Sequence, residues 1–215
     1  MVGKVRHMWT EHVVPRLADL SLRSEDIGEL RAATCDGLTG RTLEIGFGGG
    51  LNVRCYPPEV TSVSAVEPSD VGWRLSAPRR AHSTVPVERT GLDGQRLTEA
   101  DASFDSALST FTLCTIPDAD AALREVRRVL RPGGRLHVLE HGLAPEAGVR
   151  RWQRRLEPVQ RRLAGGCHLT RDVPALLAAA GFAVEDLDAA YLPGPGLSRP
   201  WAFGYRAVAV RPATT

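Results

Sequence analysis

Arg41-Thr-Leu-Glu-Ile-Gly-Phe-Gly-Gly-Gly-Leu51 is the stretch that decides the fold. Residues 41–45 read as a short buried strand, the glycines as a tight turn, and the residues from Leu51 onward as the start of a helix that Pro57-Pro58 ends early. Gly46, Gly48 and Gly50 remove Cβ atoms where a turn needs positive φ or where a bound group must lie against main chain. A strand running into such a turn predicts a cofactor. It does not choose which, since Gly-x-Gly-x-Gly also suits nicotinamide and flavin dinucleotides. The neighbouring elements have to decide.

Downstream, residues 62–66 form a second strand ending in Glu67-Pro68. An acid at the carboxyl end of that strand, roughly 20 residues after the glycines, suits a ribose diol, because one carboxylate can accept from both hydroxyls. Residues 70–80 read as a helix stopped near Pro78, and 85–89 as a short third strand. Gly91-Leu-Asp-Gly-Gln-Arg-Leu97 then has turn chemistry. In a doubly wound sheet it lies beside the loop after strand two, which makes Asp93 and the Gly94 amide candidates for reading an adenine edge. A purely structural turn is the alternative. Residues 103–114 contain strand four. The amphipathic helix over 118–130 gathers Ala122, Val126 and Val129 on one face and turns Arg124, Arg127 and Arg128 to solvent. Arg131-Pro-Gly-Gly-Arg135 ends that helix with a C′ glycine and leads into strand five over 136–140. Strands alternating with helices predict an α/β, doubly wound, mostly parallel sheet with helices on both faces and its ligand at the carboxyl ends of the strands.

The flanks are less regular. Apolar residues from Met8 to Leu38 recur at helical spacing, with Ser24 a candidate N-cap, so two helices precede the first strand. Trp9, on the first of them, is either core or a ligand contact. Residues 149–163 carry six arginines around Trp152, Leu156, Val159 and Leu163, with Pro158 interrupting or kinking the helix. Such a segment rests on an anionic membrane surface or, more commonly, forms a solvated outer face. Residues 174–180 read as a further helix, 182–187 and 201–210 as the last strands, and Pro193-Gly-Pro-Gly as an irregular loop between them.

Composition narrows the class. The 215 residues, 43% apolar and 24% charged, suit one domain over 1–215. Within it, 1–40 would be an N-terminal helical lid, 41–140 the cofactor-binding core, and 141–215 the substrate side with the final strands. A formal net charge of +2 gives no bulk reason to expect a nucleic-acid partner. Cys35, Cys55, Cys114 and Cys167 show neither a CxxC pair nor a disulfide framework, which points to reduced thiols and a cytoplasmic location. No run approaches the roughly 18 apolar residues of a membrane span. No His/Asp/Glu cluster has ligand-like spacing, so no metal is expected. Oligomeric state has no readable signature.

Four pieces together resemble a class I S-adenosylmethionine-dependent methyltransferase: Leu-Glu-Ile-Gly-Phe-Gly-Gly-Gly over 43–50, Glu67, Ser-Phe-Asp over 103–105, and Leu-Arg-Glu-Val-Arg-Arg-Val-Leu-Arg-Pro-Gly-Gly over 123–134. The last separates this family from dinucleotide oxidoreductases. The resemblance implies a Rossmann-like seven-stranded sheet whose last strand is antiparallel, and S-adenosylmethionine as cofactor. A narrower likeness lies in Asn52 with Tyr56-Pro-Pro, Thr112-Leu-Cys-Thr, Glu140-His141, Gly166-Cys-His-Leu-Thr-Arg171 and Arg199-Pro-Trp-Ala-Phe-Gly-Tyr-Arg206. These are similar to the thiol S-methyltransferases and their soluble bacterial relatives. Phe47 and Gly49 depart from the usual loop, and His168 stands where an asparagine is associated with the vertebrate members.

The resemblance implies that Glu44 and the backbone from Gly46 to Gly50 flank the methionine part and ribose, with Phe47 and Asn52 alongside. It also implies Glu67 and Pro68 at the ribose, Asp93 and Gly94 at the adenine, and Thr110, Phe111 and Cys114 near the methyl. Trp9, Tyr56 and Arg171 are candidate contacts to a small-molecule substrate, Arg171 by orienting an anion or simply by pairing with Asp172. Methyl transfer from a sulfonium is an in-line displacement that needs positioning above all. A thiol acceptor, with a pKa near about 8.5, ionises without a strong base. A phenol or amine would gain more from a histidine, for which His141 and His168 are the candidates. O-, N- or C-methylation of secondary metabolites or quinones, and methylation of a phospholipid headgroup, are the competing readings.

Overall fold

The computed structural model describes residues 8–192 and 196–213; the expected Pro193-Gly-Pro loop segment lies outside them. Seven strands form one sheet in the order β3-β2-β1-β4-β5-β7-β6. They are β1 (Gly40–Ile45), β2 (Val60–Val66), β3 (Val87–Gly91), β4 (Phe104–Thr110), β5 (Leu130–His141), β6 (Ala183–Tyr191) and β7 (Phe203–Val210). Pairing from β3 through β5 is parallel, and β7 runs antiparallel to both β5 and β6. Among the described residues eight α-helices surround the sheet: α1 (Val14–Ser21), α2 (Glu25–Cys35), α3 (Asp70–Leu75), α4 (Ala77–Ala81), α5 (Ala119–Val129), α6 (Ala147–Leu163), α7 (Val173–Ala179) and α8 (Arg199–Ala202). A π-helical turn, Trp9–Val13, leads into α1.

The period of two in β1 sets up everything at the site. Leu43 and Ile45 point to one face, where they join Leu123, Val126, Leu136, Val138 and Leu177 in the larger core. Thr42 and Glu44 point to the other, beneath α2, where Cys35, Leu38, Val60, Val63 and Leu108 pack. A carboxylate is thereby carried into the sheet-helix interface, where it must find partners. The strand order reverses between β1 and β4, the place where a doubly wound sheet opens a crevice for ligand. At the far edge, β6 is exposed along almost its whole length and carries Glu185, Asp186 and Asp188. Charges of this kind keep an open edge from pairing with another chain.

Several boundaries differ from the sequence expectation. After the glycines there is only a 3-10 turn, Val53–Cys55, before Pro57-Pro58. The expected helix over 70–80 is two short helices, with Pro78 in the first turn of α4, where its missing N–H costs nothing. Gly133 does not cap α5, which passes at Leu130 directly into β5; Arg131-Pro-Gly-Gly is instead an irregular opening of that strand. Gly133 donates to the Arg211 carbonyl at 2.8 Å and Arg211 N–H donates to Gly134 at 2.9 Å, so the segment is held as sheet. α6 runs continuously through Pro158. Its apolar side is not packed: Trp152, Val159 and Leu163 are all more than half exposed, and only Gln153 is buried. Among the described residues no helix is long and apolar enough to cross a membrane.

Candidate active site

A cavity of about 430 Å³ opens at the carboxyl ends of the strands. Its floor is the glycine loop, and its sides are Glu67 to Ser69, Leu92 to Gln95 and the segment after β4 from Thr110 to Pro117. The remaining wall comes from the N-terminus: Thr10, Glu11, Val14, Pro15, Ala18, Asp19 and Leu22. Arg31 and Gly165 complete it.

The glycine loop is tied down by Glu67. Its Oε2 accepts from Gly48 N–H at 2.6 Å and its Oε1 from Ser69 N–H at 2.7 Å. Burial raises the Glu67 pKa, while these two amides oppose the shift. A Cβ at Gly48 would meet nothing nearer than the Gly46 carbonyl at 3.9 Å, so this stretch of backbone lies bare to the cavity. Gly49 is required for a different reason: a Cβ there would overlap the Asp19 carboxylate, which α1 brings down onto the loop. Asp19 also accepts from Arg79 at 2.8 Å, and Arg79 in turn donates to the Gly49 carbonyl at 2.5 Å. The Phe47 ring packs beneath the turn, 3% exposed, with its centroid 5.5 Å from that of Trp73 and with Val53 and Ala65 alongside. Asp93 accepts from the backbone and side-chain amides of Gln95, both at 2.9 Å, which holds its carboxylate below the usual range and fixes the 92–95 turn at the cavity edge.

Glu44 lies one layer below. Asn52 Nδ2 donates to it at 2.9 Å and the Tyr56 hydroxyl at 2.5 Å. Arg31 Nη1 donates to Asn52 Oδ1 at 2.7 Å and to Thr110 Oγ1 at 2.8 Å. Burial outweighs these partners and raises the Glu44 pKa to about 7. The network therefore braces the loop from underneath, and Glu44, Asn52 and Tyr56 do not line the cavity. Gly50 does not either.

On the other side, Glu140 organises the segment after β4. Its Oε1 accepts from Thr112 N–H at 2.8 Å, Leu113 N–H at 2.9 Å and Ser109 Oγ at 2.8 Å. Phe111 takes a left-handed conformation, φ 52°, and sets its ring 5.3 Å from the Arg31 guanidinium carbon. A non-glycine residue held at positive φ costs on the order of 1–3 kcal/mol and persists where its surroundings fix it. Arg171 donates to the carbonyls of Leu113, Ile116 and Pro117, clamping the same segment from outside the cavity. His168 Nδ1 sits 3.0 Å from Glu157, which also accepts from Thr170. His141 Nε2 sits 3.1 Å from Cys167 Sγ, and burial pushes its pKa down to about 4. Trp9 donates to the Leu163 carbonyl at 2.7 Å. None of Cys114, His141, His168, Arg171 and Trp9 lines the cavity.

Of the residues singled out in the sequence, then, Gly46, Phe47, Gly48, Glu67, Pro68, Asp93, Gly94, Thr110 and Phe111 are brought to the cavity. Arg31 and Asp19 were missed, whereas Thr112, in the segment the resemblance pointed to, does line the cavity. Arg31 did leave a signal: it occupies the buried face of α2 with Ile27, Thr34 and Cys35, and a charge on an apolar stripe calls for a partner. Asp19 left none, because its contacts to the glycine loop and Arg79 are remote in sequence and its local pair with Arg23 reads as an ordinary helix-surface ion pair. Spacing along the chain suggested no metal-ligand set, yet the ligand atoms of Cys114, His141 and Cys167 lie within 4.8 Å of one another.

Comparison with known proteins follows the same division. A family model described as a methyltransferase domain matches residues 43–138. The thiol S-methyltransferase TMT1A of Homo sapiens is 34% identical over 169 residues, 76% of this chain and 68% of the relative. The thiol S-methyltransferase TMT1B of Rattus norvegicus is 36% identical over 134 residues, 60% of this chain and 54% of the relative. The chain thus spans between about half and about two thirds of the length of these curated relatives. A phosphatidylethanolamine N-methyltransferase of Cereibacter sphaeroides matches at 30% over 125 residues, 55% of this chain and 59% of the relative. Among solved structures, an S-adenosylmethionine-dependent methyltransferase of Thermotoga maritima shares the fold with a TM-score of 0.64 at 24% identity, covering 94% of this chain and 99% of that one.

Proposed function

The chain belongs to the S-adenosylmethionine-dependent methyltransferases, and from that premise we propose that it methylates a small molecule, with a thiol as acceptor. The residues at the cavity fit the cofactor. Gly48 offers bare backbone, and each Glu67 oxygen, having accepted one amide, keeps a lone pair for a ribose hydroxyl. Gly94 lines the cavity beside Ile116 and Ile45, whose side-chain atoms stand 3.7 and 3.8 Å from where a Cβ would lie, an apolar setting that suits a flat ring. When bound, S-adenosylmethionine supplies an electrophilic methyl on a sulfonium. The chain's part is to hold donor and acceptor in line and to exclude water, which Val14, Pro15, Leu22, Phe111 and Ile116 around the cavity suit.

The observation that carries the thiol reading is the make-up of the lining. Among the described residues no histidine lines the cavity, and its one basic residue is Arg31. A phenol or amine would need a base within reach of its proton, and of the cavity carboxylates Asp19, Glu67 and Asp93 are each already held by donors, which leaves Glu11 among the described residues. A thiol ionises near neutral pH on its own, and a buried cation beside it favours the thiolate. The test is a mass-spectrometric screen for the gain of one methylene across thiols, phenols, amines and lipids with purified protein and cofactor. Turnover of aryl or alkyl thiols, with a pH profile that follows the pKa of each thiol, is expected. Inactivity on every thiol under conditions where another class turns over would sink the proposal.

A second reading, a lipid acceptor met at an anionic surface, is favoured by α6. Its exposed Trp152, Val159 and Leu163 alternate with Arg151, Arg154, Arg155 and Arg162. Flotation with anionic vesicles, lost on adding salt, is the expected result on this reading; a chain that stays at the bottom of the gradient removes it.

A further inference from the structure

Three loops that are remote in sequence deliver soft ligands to one point. Cys114 follows β4, His141 ends β5, and Cys167 follows α6, and their ligand atoms lie within 4.8 Å of one another. Cys114 and Cys167 are buried free thiols, and the His141 ring touches Cys167 at 3.1 Å. We propose that Cys114, His141 and Cys167 form a zinc-binding site that ties these three loops together behind the cavity.

Three features support the assignment. The first is geometric. Zinc bonds of about 2.3 Å to sulfur and about 2.0 Å to nitrogen, arranged tetrahedrally, put ligand atoms about 3.5–3.8 Å apart, so the widest edge, within 4.8 Å, would close in and the 3.1 Å contact between His141 and Cys167 would open slightly. The second is charge. Two thiols that lose their protons on binding, together with one neutral imidazole, exactly offset a divalent cation, and the site is left with no net charge to bury. The third is an unpaid cost. His141 Nδ1 is buried without a hydrogen-bond partner, a cost of about 1–3 kcal/mol that packing against Cys167 does not remove. A metal bond through Nε2 would offset that cost while leaving Nδ1 itself unpaired. The set has three protein ligands, so a water or an added thiol would take the fourth position.

Cys35 and Cys55 provide an internal control. They are also close enough to hydrogen-bond, but among the described residues no histidine joins them. The same metal chemistry is therefore not available there.

The proposal is independent of the acceptor and of turnover, and the test reads metal directly. Reduced, chelator-treated full-length protein is titrated with Co²⁺ and then with Zn²⁺, and the unsubstituted chain is weighed by native mass spectrometry. One metal per chain is expected, with a thiolate-to-cobalt charge-transfer band that Zn²⁺ abolishes. Cys167→Ser and His141→Gln should each weaken binding by more than about 100-fold, since even outer partners of a metal site are worth 10–100-fold. The Cys35→Ser, Cys55→Ser double variant should bind as the unsubstituted chain does. Absence of the band in reduced protein with an intact melting transition would overturn the proposal. So would a band that survives Cys167→Ser, or one that is lost in the Cys35→Ser, Cys55→Ser control. If the ligand variants do not fold, native mass spectrometry of the unsubstituted chain still decides, because a chain that carries no zinc after zinc loading has no such site.

Discussion

From β1 to β3 the cavity is made largely of backbone: bare amides in the glycine loop, one carboxylate that accepts from the Gly48 and Ser69 amides, and a four-residue turn. From β4 to β5 it is made of a loop that cannot hold its own shape. Glu140 grips that loop from inside, Arg171 from outside, and Phe111 is kept at positive φ between them. The contrast shows two ways of building one wall of a site. A backbone wall depends on which residues lack side chains, whereas a propped wall depends on long side chains arriving from elsewhere. The second kind is free to vary in shape while the first is not, which suits a fixed cofactor opposite a variable acceptor.

The comparison can be broken most sharply at Phe47. Its ring lies beneath the turn, so Phe47→Ala should cost about 3–4 kcal/mol of stability, read from denaturant midpoints, while cofactor affinity measured on the folded fraction stays close to that of the unsubstituted chain. A large affinity loss at unchanged stability would mean that the ring covers the cofactor instead.

Next in size is a pair of opposite pH effects, one from each half. Glu44 is raised from 4.5 to about 7, so its contribution to stability is present below pH 4.5 and is lost as pH rises towards 7. In the metal-free chain His141 is lowered from 6.5 to about 4, so its contribution is present above pH 6.5 and is lost as pH falls towards 4. Each spans on the order of 3 kcal/mol. Glu44→Gln should flatten the loss on the alkaline side of the window and His141→Gln the loss on the acid side. Denaturation curves between pH 4 and 8 would show whether the slopes respond in this crossed fashion.

Glu67→Gln keeps the shape but removes the charge. Cofactor binding followed by calorimetry should weaken roughly 30-fold, about 2 kcal/mol, and an unchanged affinity would show that the ribose is held elsewhere. The smallest effect is expected at Asp19→Ala, which releases α1 from Arg79 and Gly49. Acceptor KM should rise about threefold, under 1 kcal/mol, with the melting temperature almost unmoved.

The backbone half was legible in the sequence for a physical reason. Glycine and acid at fixed offsets after a strand have few other uses, so Gly46, Gly48 and Glu67 could be read, and the strand-helix alternation fixed the sheet around them. Glu44, Asn52 and Tyr56, which only the resemblance had placed at the ligands, brace the loop from below and do not line the cavity. Propped elements were not legible. Nothing near Asp19 in the chain announces Gly49, and nothing near Cys114 announces Cys167 or His141, because these contacts exist only once the sheet has brought distant segments together. Arg131-Pro-Gly-Gly shows a subtler failure: its glycines suggested the end of a helix, but they serve the irregular start of β5 and its bonds to Arg211.

The N-terminal wall has one further consequence. α1 buries a single residue, Asp19, and leaves Leu17 and Leu20 half or more exposed, so little of the molecule's stability depends on it. Yet residues 10–22 supply seven of the side chains that face the cavity. A segment that decides what fits but hardly affects whether the chain folds is where mutation is cheapest. Over evolutionary time, drift in this helix could retune which molecules the pocket admits, leaving the sheet and its glycine turn untouched.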